Sequence, residues 1–156
     1  MKGPSVPELL KLDYFVGRWT SSGEMLPSVL GPGGRITVQE ENEWMEGGYF
    51  VVLHLTFSTP AEGKGRGIAF MGYDSDEHAY TYDEFNSHGD AIHSRGTLEG
   101  DTWAWSSRRR IGQQLMRTRF TMKILSPTLY IYRFEISADG ASWQLVMEAT
   151  DRKSGA

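Results

Sequence analysis

The sequence predicts an all-β protein, a ten-stranded antiparallel meander barrel with a short N-terminal capping helix. Three observations carry this. From Gly17 onward the chain is a succession of short strand-like stretches separated by turn chemistry. It holds 18 glycines and 12% aromatic residues, which supply turns and favour strands and concave apolar walls. Only one segment, near the start, has helical features. Closing such a meander removes its exposed edges, which favours a barrel over an open sheet. The 156 residues suit one domain, 1–156, with one core.

The helix comes first. Ser5 and Glu8 are spaced as a capping box, with Pro7 in the first turn. Leu9, Leu10 and Leu12 form an apolar face, and Gly17 ends the segment. So short a helix is marginal alone, so it must dock, and the end of a barrel is the natural place.

Strands are expected at 17–25, 35–46, 48–58, 66–73, 78–86, 91–98, 101–109, 115–125, 128–137 and 142–151. Between them stand turn signals such as Glu46-Gly47-Gly48, Asp74-Ser75-Asp76, Glu99-Gly100-Asp101 and Asp139-Gly140. Two connections are longer: 26–34, with Pro27 and Pro32, and 59–65, with Pro60. Long loops on a small barrel frame its mouth; the alternative is plain surface loop.

Alternation assigns the faces. Strand two puts Ile36, Val38, Glu40, Asn42 and Trp44 inward. A buried carboxylate is costly unless paired or hydrated. Glu40 and Asn42 are therefore either a ligand-contacting or acid–base pair, or a water-satisfied pair near the mouth. Strand seven groups Trp103, Trp105 and Ser107; strand eight groups Met116, Phe120, Met122 and Ile124. Strand nine groups Tyr130, Tyr132, Phe134 and Ile136; strand ten groups Trp143, Leu145 and Met147. Aromatic rings with adaptable Met between them suit a pocket for an apolar or aromatic ligand, and they also simply fill a barrel. Tyr82, Trp105 and Tyr132 stand out because each has a polar atom that wants a partner when buried. The candidate ligand-binding residues are Glu40, Asn42, Trp44, Tyr82, Trp105 and Tyr132.

Charge is uneven. Glu40, Glu41, Glu43 and Glu46 crowd one strand, while Arg108, Arg109, Arg110, Arg117, Arg119, Lys123 and Arg133 fall in a stretch without acids. Like charges side by side cost stability. An acidic ligand, a homodimer contact with the Glu-rich strand, or a solvated face screened by salt would each answer this. The net charge of −4 gives no overall pull toward nucleic acid or acidic membranes.

Several chemistries lack support. The chain has no cysteine, so disulfides, thiolate metal sites and a cysteine nucleophile are excluded. His54, His78, His88 and His93 show no helical metal spacing, and no metal site is expected. There is no Gly-x-Ser-x-Gly elbow. Gly63-Lys64-Gly65-Arg66-Gly67 lacks the strand–loop–helix context of a P-loop. The N-terminus shows no apolar signal region, and no apolar run approaches the length of a membrane helix. A cytoplasmic protein is the expectation.

Several segments line up in order: Leu12-Asp13-Tyr14-Phe15-Val16-Gly17-Arg18-Trp19, Glu43-Trp44 with Gly47-Gly48-Tyr49-Phe50, Gly72-Tyr73-Asp74, and Gly96-Thr97. In order and spacing they resemble the DUF1579 family of small bacterial proteins, which is similar to the lipocalin-like (calycin) barrels. The resemblance implies a ten-stranded barrel with a central cavity and an N-terminal helix. It implies no established activity and no catalytic residues. By the calycin resemblance Trp19 packs across the closed end. Nitrobindins, a related haem-binding barrel, open with Gly-x-Trp-x-Gly-x-Gly and ligate iron through a His near the C-terminus. Here the opening continues Thr20-Ser21-Ser22-Gly23 and no His follows His93, which argues against haem held in that manner. No cofactor is expected.

The resulting expectation is a barrel that binds a small, largely apolar or aromatic molecule, with an acidic group as one option. The alternatives are an interaction module with a filled barrel and, third, an enzyme with Glu40 as general base and Tyr82 or Asn42 as hydrogen-bond donor.

Overall fold

The computed structural model describes residues 6–154. Helix α1 is Pro7–Leu10, continued as a 3-10 turn over Lys11–Phe15. Pro7 sits in the first turn, where its missing N–H costs nothing. The N-cap is Val6, with no side-chain cap; the expected capping residue, Ser5, lies outside the described residues. Val16 is extended and ends the turn, and Gly17 takes φ +124° to swing the chain into the first strand.

Ten strands follow: β1 Gly17–Met25, β2 Gly34–Trp44, β3 Val51–Thr59, β4 Gly63–Asp74, β5 Ala79–Asn86, β6 Ala91–Glu99, β7 Thr102–Ile111, β8 Gln114–Ser126, β9 Leu129–Ser137 and β10 Gln144–Ser154. Each pairs antiparallel with its chain neighbours, and β1 also pairs with β10, so the barrel is closed. The expected meander is the observed one. The third strand starts at Val51 rather than 48, because Gly47 and Gly48 adopt φ of +100° and +78° in the turn. No helix among the described residues is long and apolar enough to cross a membrane.

The last strand departs from the expected alternation. Its register with β9 shifts between Leu145 and Met147, a bulge that places one extra residue on this strand. Val146 is thereby fully buried and packs with Met116 and Ile136. Beyond the bulge Met147, Ala149 and Asp151 continue the inward row. Trp143, expected inside, lies instead under the outward guanidinium of Arg119, 4.2 Å from its ring centre.

One end of the barrel is plugged by the N-terminal segment. Leu9, Leu12 and Phe15 are buried there against Trp19, Trp103 and Tyr130. The rings meet edge-on or tilted, Phe15 with Trp103 at 5.3 Å and Trp19 with Tyr130 at 5.1 Å. The Phe15 carbonyl accepts from both Trp19 Nε1 and Asn42 Nδ2, each at 2.9 Å. Tyr80 donates to the Glu8 carbonyl at 2.7 Å, and Tyr14 to the Ser126 carbonyl at 2.9 Å. These bonds tie the segment to strands on several sides of the barrel.

The 26–33 connection lies at the other end and touches the turn between β3 and β4, which is shorter than expected: β4 starts at Gly63 rather than 66, so only residues 60–62 join the two strands. A Cβ on Gly31 would stand 2.8 Å from Ala61 Cβ, and one on Gly34 would stand 2.8 Å from Pro60 Cγ. Part of the basic stretch is neutralised within the chain. Arg119 holds Glu135 through two bonds of 2.9 and 3.1 Å, and Arg133 approaches Glu148 at 3.4 Å.

Candidate ligand cavity

The barrel interior above the plug is not filled. A cavity of about 310 Å³ runs from Phe15 at its floor to Leu30, Ala61 and Glu62 at the mouth. The 26–33 loop and the β3–β4 turn therefore both contribute to its rim. Most of the wall is apolar, with Leu53, Leu55 and Met71 on one side and Phe120 and Met122 on another. The phase of each strand sets this directly, since every second residue faces inward.

The polar groups are concentrated on four neighbouring strands. In the order β2, β1, β10, β9, these carry Glu40, Ser21, Asp151 and the pair Tyr130 and Tyr132. Ser21 stands opposite Asp151, and Asp151 opposite Tyr130. Tyr130 donates to Asp151 Oδ2 at 2.5 Å, and the Ser21 and Tyr132 hydroxyls share a bond of 2.6 Å. Asn42 donates to Glu40 Oε2 at 3.0 Å. A second polar group lies on β5, where Tyr82 donates to Glu84 Oε1 at 2.5 Å and Asn86 Nδ2 lies 3.2 Å from Asp90 Oδ2.

Burial governs the electrostatics. The Glu40 carboxyl is raised from 4.5 to about 8, chiefly by desolvation, then by the negative charge of Asp151 and of Glu84. The bond from Asn42 opposes this. Glu40 is half-buried because its remaining accessible surface borders the cavity. Asp151 is raised from 3.8 to about 6 by desolvation, against the hydrogen bonds from Tyr130 and the Arg152 backbone. Desolvation likewise pushes up the phenols of Tyr82, Tyr130 and Tyr132. Both carboxyls therefore keep their protons to a higher pH than free carboxyls do. Asp151 Oδ1 is buried and has no hydrogen-bond partner, as has Asn42 Oδ1.

Four of the six expected site residues, Glu40, Tyr82, Trp105 and Tyr132, line this cavity. Asn42 is buried just behind, bridging Glu40 to the Phe15 carbonyl. Trp44 lies further toward the closed end, where its indole donates to Asp13 Oδ1 at 2.8 Å. Sequence reasoning passed over Asp151, Ser21, Glu84 and Arg109, all of which line the cavity. For three of them the signal was present: Arg109 continues Trp103, Trp105 and Ser107, Asp151 continues Met147, and Glu84 follows Tyr82 at the strand period.

The histidines lie elsewhere or at the rim. His93 Nδ1 meets Asp83 Oδ1 at 2.6 Å on the exterior, and His88 lies 3.6 Å from Glu62 beside Phe57. Among the described residues no group of three His, Asp or Glu side chains is placed to hold a metal ion.

The profile of the family described as "Protein of unknown function (DUF1579)" matches residues 7–153. The chain belongs to the DUF1579 family. Two solved structures share the fold of this DUF1579 protein. One is Rv2717c from M. tuberculosis, with a TM-score of 0.65 and 12% identity over 96% of this chain and 99% of the other. The second is the S-type phycobiliprotein lyase CPES from Guillardia theta, with a TM-score of 0.65 and 11% identity over 97% of this chain and 95% of the other. At such identities the likeness is one of fold. No curated protein matches the DUF1579 sequence.

Proposed function

We propose that the protein binds a small, largely apolar or aromatic molecule in the central cavity. The carrying observation is the 310 Å³ space itself, walled by Leu, Ile, Met and aromatic side chains around a few convergent polar groups. Small-molecule sites have this make-up, and their volumes begin at roughly 300 Å³. A module with a filled barrel would leave no such space. The fold likeness to a phycobiliprotein lyase fits a barrel that works on something held inside it.

The option of an acidic ligand draws support from Arg109, the one basic side chain on the wall among the described residues. A homodimer draws on Arg108 and Arg117, which stand opposite each other on β7 and β8 and would welcome a second copy's glutamates. A cytoplasmic location accords with the cysteine-free sequence. A second functional reading keeps Glu40 as a general base. Its carboxyl, at about 8, lies where a group exchanges protons readily near neutrality.

The test is native mass spectrometry of protein purified from its own host, with displacement of an environment-sensitive apolar dye. An adduct mass or saturable dye binding lost on blocking the cavity is the expected result. Only unliganded mass in every preparation, together with no dye binding, would sink the reading.

A further inference from the structure

The cavity wall is unbalanced in charge. Among the described residues it carries Glu40, Glu62, Glu84, Asp90 and Asp151 against one base, Arg109. The acids differ in how well they are served. Glu84 receives Tyr82 and Asn86, and Asp90 receives Asn86. Glu62 is at the rim with His88. Asp151 lies deep on β10, 2% exposed, with Oδ2 held by Tyr130 and Oδ1 without any partner. Glu40 sits two strands away, across β1, and lines the same cavity, and the charge of Asp151 is one of the causes that hold the Glu40 carboxyl above its ordinary value. Arg109 belongs to the mouth end of β7, three inward positions beyond the floor residue Trp103.

A buried carboxylate oxygen without a donor is expensive. A neutral ligand donor would supply the missing hydrogen bond but leave the buried negative charge of Asp151 uncompensated. A bound cation does both, because it neutralises that charge in a low-dielectric site. An anion at the same place would set a second negative charge beside it. We propose that the cavity selects amphipathic amines, with the ammonium group seated at the Asp151 carboxylate beside Glu40 and the apolar body directed up the Leu–Met–Phe wall toward the mouth. This rests on the reading of the cavity as a small-molecule site and names its ligand class.

The test compares octylamine, octanol and octanoate, probes of one chain length and three head groups, by calorimetric titration at neutral pH. The amine is expected to bind about tenfold or more tighter than octanol, and octanoate weakest. In D151N, and in the double variant E40Q/D151N, the amine should lose its preference and fall to within about twofold of octanol. Both substitutions remove buried charge, and thermal unfolding checks the fold of each. Octanol bound as tightly as the amine by the natural protein would overturn the ligand class while leaving a small-molecule site in place. An amine preference that persists in both variants would overturn the assigned seat. Binding of none of the three would overturn the cavity reading and this inference with it.

Discussion

Tyr130 and Asp151 stand directly opposite each other on β9 and β10, and the tyrosine hydroxyl donates a 2.5 Å hydrogen bond to Asp151 Oδ2. Among the described residues this is the sole side-chain donor on a carboxylate that is 2% exposed. Replacing it leaves the carboxylate with only the Arg152 backbone donor in a desolvated site. Tyr130→Phe is expected to lower stability by about 1.5–3 kcal/mol in chemical denaturation. It should also move the Asp151 titration above about 6, since the lost bond favours the charged form. Carbon-detected NMR titration of the Asp151 carboxyl reads this shift. An unchanged titration would mean that the phenol does not hold the carboxylate.

The buried acids make stability fall as pH rises. Glu40 goes from 4.5 unfolded to about 8 folded, and Asp151 from 3.8 to about 6. Below the unfolded values each is protonated in both states and costs nothing. Above them the unfolded chain ionises first, so folding must hold a proton against the solution. Each such group removes up to about 1.4 kcal/mol per pH unit across its window. Both contribute up to about pH 6, and Glu40 alone continues to about pH 8. Glu135, held low by Arg119, has the opposite sense: its stabilisation is present above its ordinary value and is lost as pH falls below it. Glu40→Gln should therefore flatten the decline between pH 6 and 8 in denaturation midpoints measured across pH. An equal decline in wild type and variant would rule Glu40 out as its source.

At the closed end, Trp19 is 1% exposed and donates to the Phe15 carbonyl at 2.9 Å. It joins the first strand to the N-terminal segment by packing and by a hydrogen bond together. Trp19→Phe should cost about 1–3 kcal/mol, for the lost bond and a small void, and Trp19→Ala about 3–5 kcal/mol. Trp19 does not line the cavity, so the Phe variant should keep its affinity for apolar probes. Loss of probe binding in a folded Trp19→Phe protein would show that the plug shapes the site.

The period-2 alternation made most of this architecture legible. Turn residues placed the ten strands, and inward rows such as Tyr130, Tyr132, Phe134 and Ile136 followed from phase alone. What escaped had local physical causes. The bulge at Leu145–Met147 is a change of register without a residue signature, so it misplaced Trp143 and hid Val146. Trp44 has the right phase for an inward residue, but it lies at the level of the plug, where Asp13 takes its indole proton. Height along the barrel depends on strand tilt and on how deep the helix docks, and neither is written in alternation. Asp151 and Arg109 had the right phase and were passed over because inward charge runs against ordinary core chemistry. The exceptions to that rule are where the cavity has its polar chemistry.

Gly96 and Trp105 form a cross-strand pair on β6 and β7, with the indole lying over the glycine. A Cβ on Gly96 would stand 2.5 Å from Trp105 Cε3 and 2.7 Å from Cζ3, so the absent side chain is the slot for the ring. The ring is held flat from the floor side too, stacked on Trp103 at 5.8 Å with planes 5° apart. A methyl group at position 96 cannot push Trp105 through Trp103; the ring must rise into the cavity. Gly96→Ala is expected to cost about 1–3 kcal/mol from overpacking and to weaken binding of apolar probes more than it weakens the fold. Dye titration with parallel thermal unfolding separates these effects. Trp105→Leu offers the converse case, with a smaller side chain and a larger cavity, and should admit bulkier probes than the natural protein accepts. If Gly96→Ala binds probes as tightly as wild type, Trp105 yields without entering the cavity, and the site is formed by the Glu40–Asp151 side of the barrel alone.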